Sequence, residues 1–109
     1  MTTLPGAILQ YQEAHDHHET EAALATFTTD ATVRDDGYEY RGTAEIRNWL
    51  SRTSVEYSYT STLKTATPVD QHTWLITNHL EGNFPGGVVD LHYRYVLAGS
   101  HIRELEITP

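Results

Sequence analysis

Leu4, Ala7, Ile8, Tyr11 and Ala14 recur at three- and four-residue spacing, which lays one apolar stripe along a helix from residue 4 or 5 to about 17. Pro5 suits its first turn. After the polar run His15-Asp16-His17-His18-Glu19, Thr20 reads as the N-cap of a second, short helix, with Glu21 where the helix dipole favours an anion. Ala22, Ala23, Leu24, Ala25 and Phe27 are mostly small, as close packing requires, and Thr28-Thr29-Asp30 ends the segment. Residues 31–35 then alternate as a strand, Asp36-Gly37 forms a turn pair, and residues 38–41 make the second arm of a small hairpin. Gly42 breaks that arm. Thr43 caps a third helix to about Leu50, whose buried stripe is Ile46, Trp49 and Leu50.

From residue 55 the texture changes to alternation, over residues 55–63, 74–80, 88–97 and 102–107. Turns fall at Pro68-Val69-Asp70, at Gly82-Asn83-Phe84-Pro85-Gly86-Gly87 and at Ala98-Gly99-Ser100. Helices first and a meandering, mostly antiparallel sheet afterwards predict an α+β fold, in which a curved sheet wraps the helices and leaves a cavity. At 109 residues the expectation is one domain spanning 1–109.

Charge and composition narrow the partners. Seven Lys plus Arg against fifteen Asp plus Glu give a net charge of −8, which argues against nucleic acid or an anionic membrane. The absence of cysteine removes disulfide and thiolate chemistry. Met1-Thr2-Thr3-Leu4-Pro5 lacks the basic start and apolar run of a signal peptide, so a cytoplasmic protein is expected. The imidazoles of His15, His17 and His18 straddle a helix end without a second cluster to converge on, which favours a solvated turn over a metal site; His15 alone can share the inward face of Tyr11.

Candidate chemistry starts at Asp35. If Val33 points inward, period-2 geometry sends Asp35 the same way and leaves Asp36 to the turn. A carboxylate in an apolar hollow is disfavoured as an ion and becomes a stronger base. Tyr11 faces inward too, either as a core phenol or as a donor to an oxygen that gains charge.

The run Asp30-Ala31-Thr32-Val33-Arg34-Asp35, followed by Tyr38-Glu39-Tyr40-Arg41-Gly42-Thr43 and Ile46-Arg47-Asn48-Trp49-Leu50, resembles the nuclear transport factor 2-like superfamily. More narrowly it resembles the SnoaL-like polyketide cyclase and ketosteroid isomerase branch, over essentially the whole chain. The resemblance implies a cone-shaped, cystatin-like fold, Asp35 as general base, Tyr11 as oxyanion donor and no metal or organic cofactor. Ketosteroid isomerase adds a protonated carboxylic acid to its tyrosine. The position of that acid falls on Leu91 here, with Asp90 one place away on the other face.

If Leu91 is inward, Tyr93 and Tyr95 share its face, as do Trp74, Ile76, Asn78 and Leu80 on the preceding strand. Trp49, Trp74, Asn78, Leu91 and Tyr93 are then the candidate substrate-binding residues, with plain core the alternative for Trp74 and Tyr93. His79, His92 and Arg94 fall on the outer face with Glu81 and one parity of Tyr57 and Tyr59, which leaves a His79–Asp35 dyad on the wrong side. The expected function is proton transfer, of isomerase or cyclase type, on a small apolar carbonyl compound. The alternative is a non-catalytic binding or assembly module. Relatives usually pair through the sheet, so a two-fold homodimer is expected.

Overall fold

A computed structural model describes residues 4–56 and 58–109. The order is α1 (Gly6–Asp16), α2 (Thr20–Leu24), β1 (Phe27–Asp35), β2 (Tyr38–Arg41), α3 (Gly42–Glu56), β3 (Tyr59–Pro68), β4 (Thr73–Gly82), β5 (Val88–Ala98) and β6 (His101–Thr108). The strands form one mixed sheet in the order β2-β1-β6-β5-β4-β3. Every neighbouring pair is antiparallel except β1 with β6, which run parallel.

The helices cover one face of that sheet, because each has one apolar stripe to bury. Ala7, Ile8, Tyr11 and Ala14 of α1 and Ile46, Trp49 and Leu50 of α3 pack with Val33, Ile76, Tyr95 and Leu105 of the strands into one core. Arg34, Leu75, His92 and Arg94 alternate with those strand residues and remain exposed on the other face. Asp36 and Gly37 both have positive φ, 54° and 81°, the backbone that a two-residue hairpin turn between β1 and β2 requires. Among the described residues no helix is long and apolar enough to cross a membrane.

Several element boundaries differ from the sequence expectation. β1 starts at Phe27 rather than 31, because Phe27 pairs with Ile102 and carries the extended backbone past Thr28-Thr29-Asp30; the β1–β6 register shifts between Phe27 and Thr32. α3 continues to Glu56, so residues 55 and 56 are helical rather than the start of a strand. A few alternating residues do not outweigh an established helix. β3 extends to Pro68, which is tolerated because β3 is an edge strand and owes no N–H to a neighbour there. Thr20 is the first residue of α2 rather than its cap, which is Glu19.

Candidate functional site

Three elements converge on one hollow. α1 presents Tyr11 and His15 one turn apart, their rings stacked with centroids 5.8 Å apart. β1 brings Asp35 inward two residues after the fully buried Val33, and α3 supplies Trp49. Together with Leu91 and Tyr93 of β5 they line a cavity of about 430 Å³. The remaining wall is mostly apolar, from Leu80, Val89 and Ile107 with Phe84 and Pro85 of the β4–β5 turn, while Asp36 reaches the rim from its own turn. This volume lies within the range of small-molecule sites.

Asp35 is held rather than loose. The indole Nε1–H of Trp49, a residue only 2 % exposed, donates to its Oδ2 at 3.0 Å. An N–H directed at a carboxylate favours the ionised form, which is the form a base needs. Tyr11 is buried, and desolvation followed by the neighbouring phenols of Tyr95, Tyr93 and Tyr59 and the Asp35 charge lifts its pKa well above the usual value. It therefore stays protonated and able to donate.

His15 is the polar residue that composition disguised. It leaves the run His15-Asp16-His17-His18, whose other histidines are exposed, and turns into the hollow. Its Nδ1 meets the hydroxyl of Tyr59 at 3.0 Å. Burial, then the nearby His18, pushes its pKa down to about 4, so the imidazole is neutral near pH 7. Burial and the Asp16 charge push Tyr59 up to about 12. The i, i+4 relation to Tyr11 was the available signal for His15. For Tyr59 the signal is weaker: alternation alone does not give its face, and Tyr57, which has the same parity, lies outside the described residues. Tyr59 faces inward because it pairs with Gly82, which shares the inward face of Leu80, and an added Cβ at Gly82 would meet the Tyr59 Cβ at 2.6 Å and the Ser58 carbonyl oxygen.

The remaining candidates divide by depth along the sheet. Leu91 and Tyr93 line the hollow, with Asp90 turned to the outer face, where it accepts from Lys64 Nζ at 3.2 Å and meets His79 Nδ1 at 2.7 Å. No His79–Asp35 dyad forms. Asn78 sits in a narrow recess adjoining the hollow, beside Tyr11, His15, Tyr59 and Tyr93. Trp74 shares the inward face but packs against the core and does not line the cavity. Parity gives the face and not the depth: Trp74 is four residues before Asn78, roughly 13 Å along a strand. A larger, open groove of about 570 Å³, lined by Asp70, His72, Arg94, Arg103 and Glu104 among others, contains none of these residues.

No family model and no curated protein matches the chain. Solved structures do. A Sinorhizobium meliloti protein assigned as a polyketide cyclase is 31% identical, with a TM-score of 0.89 over 96% of this chain and 95% of that one. A Catenulispora acidiphila protein with a ketosteroid isomerase-like fold, solved in complex with trimethylamine, is 19% identical, with a TM-score of 0.85 over 98% of this chain and 87% of the other. A Mycobacterium tuberculosis protein in complex with estradiol-17β-hemisuccinate is 16% identical, with a TM-score of 0.79 over 94% and 90% of the two chains.

Proposed function

This chain belongs to the nuclear transport factor 2-like superfamily, on its SnoaL-like and ketosteroid isomerase-like branch, and on that premise we propose that its hollow performs proton transfer on a small, largely apolar carbonyl compound. The observation that carries the proposal is the meeting of Asp35 and Tyr11, from separate elements, on one mainly apolar cavity. Asp35 takes a proton from the carbon next to the carbonyl. Tyr11 donates a hydrogen bond to the oxygen on which the negative charge then develops. Return of the proton to a different carbon completes an isomerisation; attack by the enolate carbon on a second carbonyl, whose oxygen takes the proton back from Asp35, completes a cyclisation. These steps need no metal or organic cofactor.

The test is hydrogen–deuterium exchange next to the carbonyl in a panel of enones and diketones, followed by NMR. Wild-type protein accelerates exchange and Asp35→Asn does not. An Asp35→Asn protein as active as wild type removes the base assignment.

A second reading is ligand binding without turnover, and the Trp49–Asp35 hydrogen bond favours it by giving the carboxylate a structural duty. Two structural neighbours were solved with small organic molecules, which suits either reading. Ligand binding without exchange by the wild-type protein would select the second.

We further propose that two copies pair through the outer sheet face. Exposed Leu75 and Val88 lie there beside the Thr77–His92 and His79–Asp90–Lys64 contacts, so that face offers apolar area with prepaired polar groups around it. Sedimentation equilibrium should give a dimer at micromolar protein, and a monomer would exclude it.

A further inference from the structure

The recess adjoining the hollow contains a polar atom with no duty in the fold. Asn78 is 5 % exposed, and its Oδ1 has no hydrogen-bond partner among the described residues. An unsatisfied buried amide oxygen is costly, so it persists where a donor arrives from outside the chain. The recess has a volume of about 10 Å³, the space of a single water, and accepts one polar heavy atom rather than a larger group.

The surroundings define what that atom must be. Tyr11, His15, Tyr59 and Tyr93 line the recess and the hollow alike, so the two spaces adjoin across shared side chains. The His15–Tyr59 bond uses one of its two protons, leaving either the His15 Nε2–H or the Tyr59 O–H as a further donor. Gln12, Asp16 and Ser61 complete the wall, and the buried acceptor left unfilled is Asn78 Oδ1. A ligand carbonyl has no proton for Asn78 Oδ1, whereas a hydroxyl donates to it and still accepts from a neighbouring phenol.

We propose that Asn78 is a specificity residue that reads a hydroxyl group of the ligand, so the compound held in the hollow is a hydroxylated carbonyl compound. This rests on the reading of the hollow as a carbonyl site. Tyr11 lines both spaces, and on that reading the carbonyl lies in the hollow and the hydroxyl in the recess.

Calorimetric titration with 3-hydroxyacetophenone and 3-fluoroacetophenone tests it, because the fluorine matches the hydroxyl in size and cannot donate. The wild-type protein should bind the hydroxy compound about tenfold or more tightly. Asn78→Leu should weaken only the hydroxy compound and bring the ratio close to one. Asn78→Ala serves the same comparison if Asn78→Leu fails to fold. Equal wild-type affinities, a ratio unchanged by either substitution, or no binding of either compound overturns the proposal. Deuterium exchange by the wild-type protein separates it from the catalytic reading: discrimination without exchange leaves Asn78 as the reader and removes catalysis, whereas exchange without discrimination does the reverse.

Discussion

Trp49 and Asp35, fourteen residues apart, are joined by an indole N–H donating to Oδ2 at 3.0 Å, which ties the third helix to the end of the first strand at the wall of the cavity. Replacing Trp49 by Phe keeps most of the buried ring and deletes the donor. The Asp35 carboxylate then loses a charge-assisted hydrogen bond. Stability should fall by about 1–3 kcal/mol in chemical unfolding, and the exchange rate should fall as the carboxylate loses its orientation. An unchanged rate would show that the indole does not position the base.

Tyr11→Phe removes one oxygen from a buried ring packed edge-on against Phe27 and Tyr95. Exchange should slow by about 10²–10³-fold, the usual effect of deleting one oxyanion donor, while unfolding shifts by less than about 1 kcal/mol. The raised pKa of this phenol keeps it protonated, so the wild-type rate should show no decline from its ionisation below the ordinary tyrosine range. Parallel losses of rate and stability would mark it as core alone.

His15 links stability to acid. Its folded pKa of about 4 lies below the ordinary histidine value of 6.5, so between those pH values the unfolded chain binds a proton that the folded one does not. Stability is therefore complete above pH 6.5 and declines as pH falls toward 4. The decline for this group is on the order of 3 kcal/mol, from about 1.4 kcal/mol per pH unit. Denaturant melts across that range should show the slope in the wild type and lose that component in His15→Gln.

Gly82 is required by closeness rather than by φ. Its added Cβ would meet backbone and Cβ atoms of Ser58 and Tyr59, so Gly82→Ala must push β3 away. We expect a loss of about 1–3 kcal/mol, as for other overpacked sites, and a displaced Tyr59 whose bond to His15 is broken. The imidazole NMR shifts of His15 report the second effect, and unchanged shifts would refute it.

Much of the site was legible because a strand offers only two faces. Val33 fixes the side of Asp35, Leu91 that of Tyr93, and the same parity sends Asp90 and His79 outward, as the structure places them. Alternation does not record distance along the sheet, which is why Trp74 shares a face with Asn78 yet stands apart from the cavity. The partners of Asp35 were harder. Trp49 carries the 3.6-residue stripe of a core residue, and nothing local reveals that its N–H finds a carboxylate. Tyr59 depended on where α3 ends, and nothing in the polar residues that follow Leu50 marks Glu56 as its last position.

The parallel pairing of β1 with β6 has a consequence for the order of assembly. β6 lies between β1 and β5, so without it the sheet is two fragments, β2-β1 and β5-β4-β3, each with an open edge. As the chain emerges in synthesis, Asp35 and Tyr93 belong to different fragments until residues 101–108 arrive to join them. The cavity therefore closes in one late, non-local step, and its formation is governed by loop-closure entropy rather than by local helix formation. Until then the exposed edges are where this protein is most open to pairing with the wrong chain.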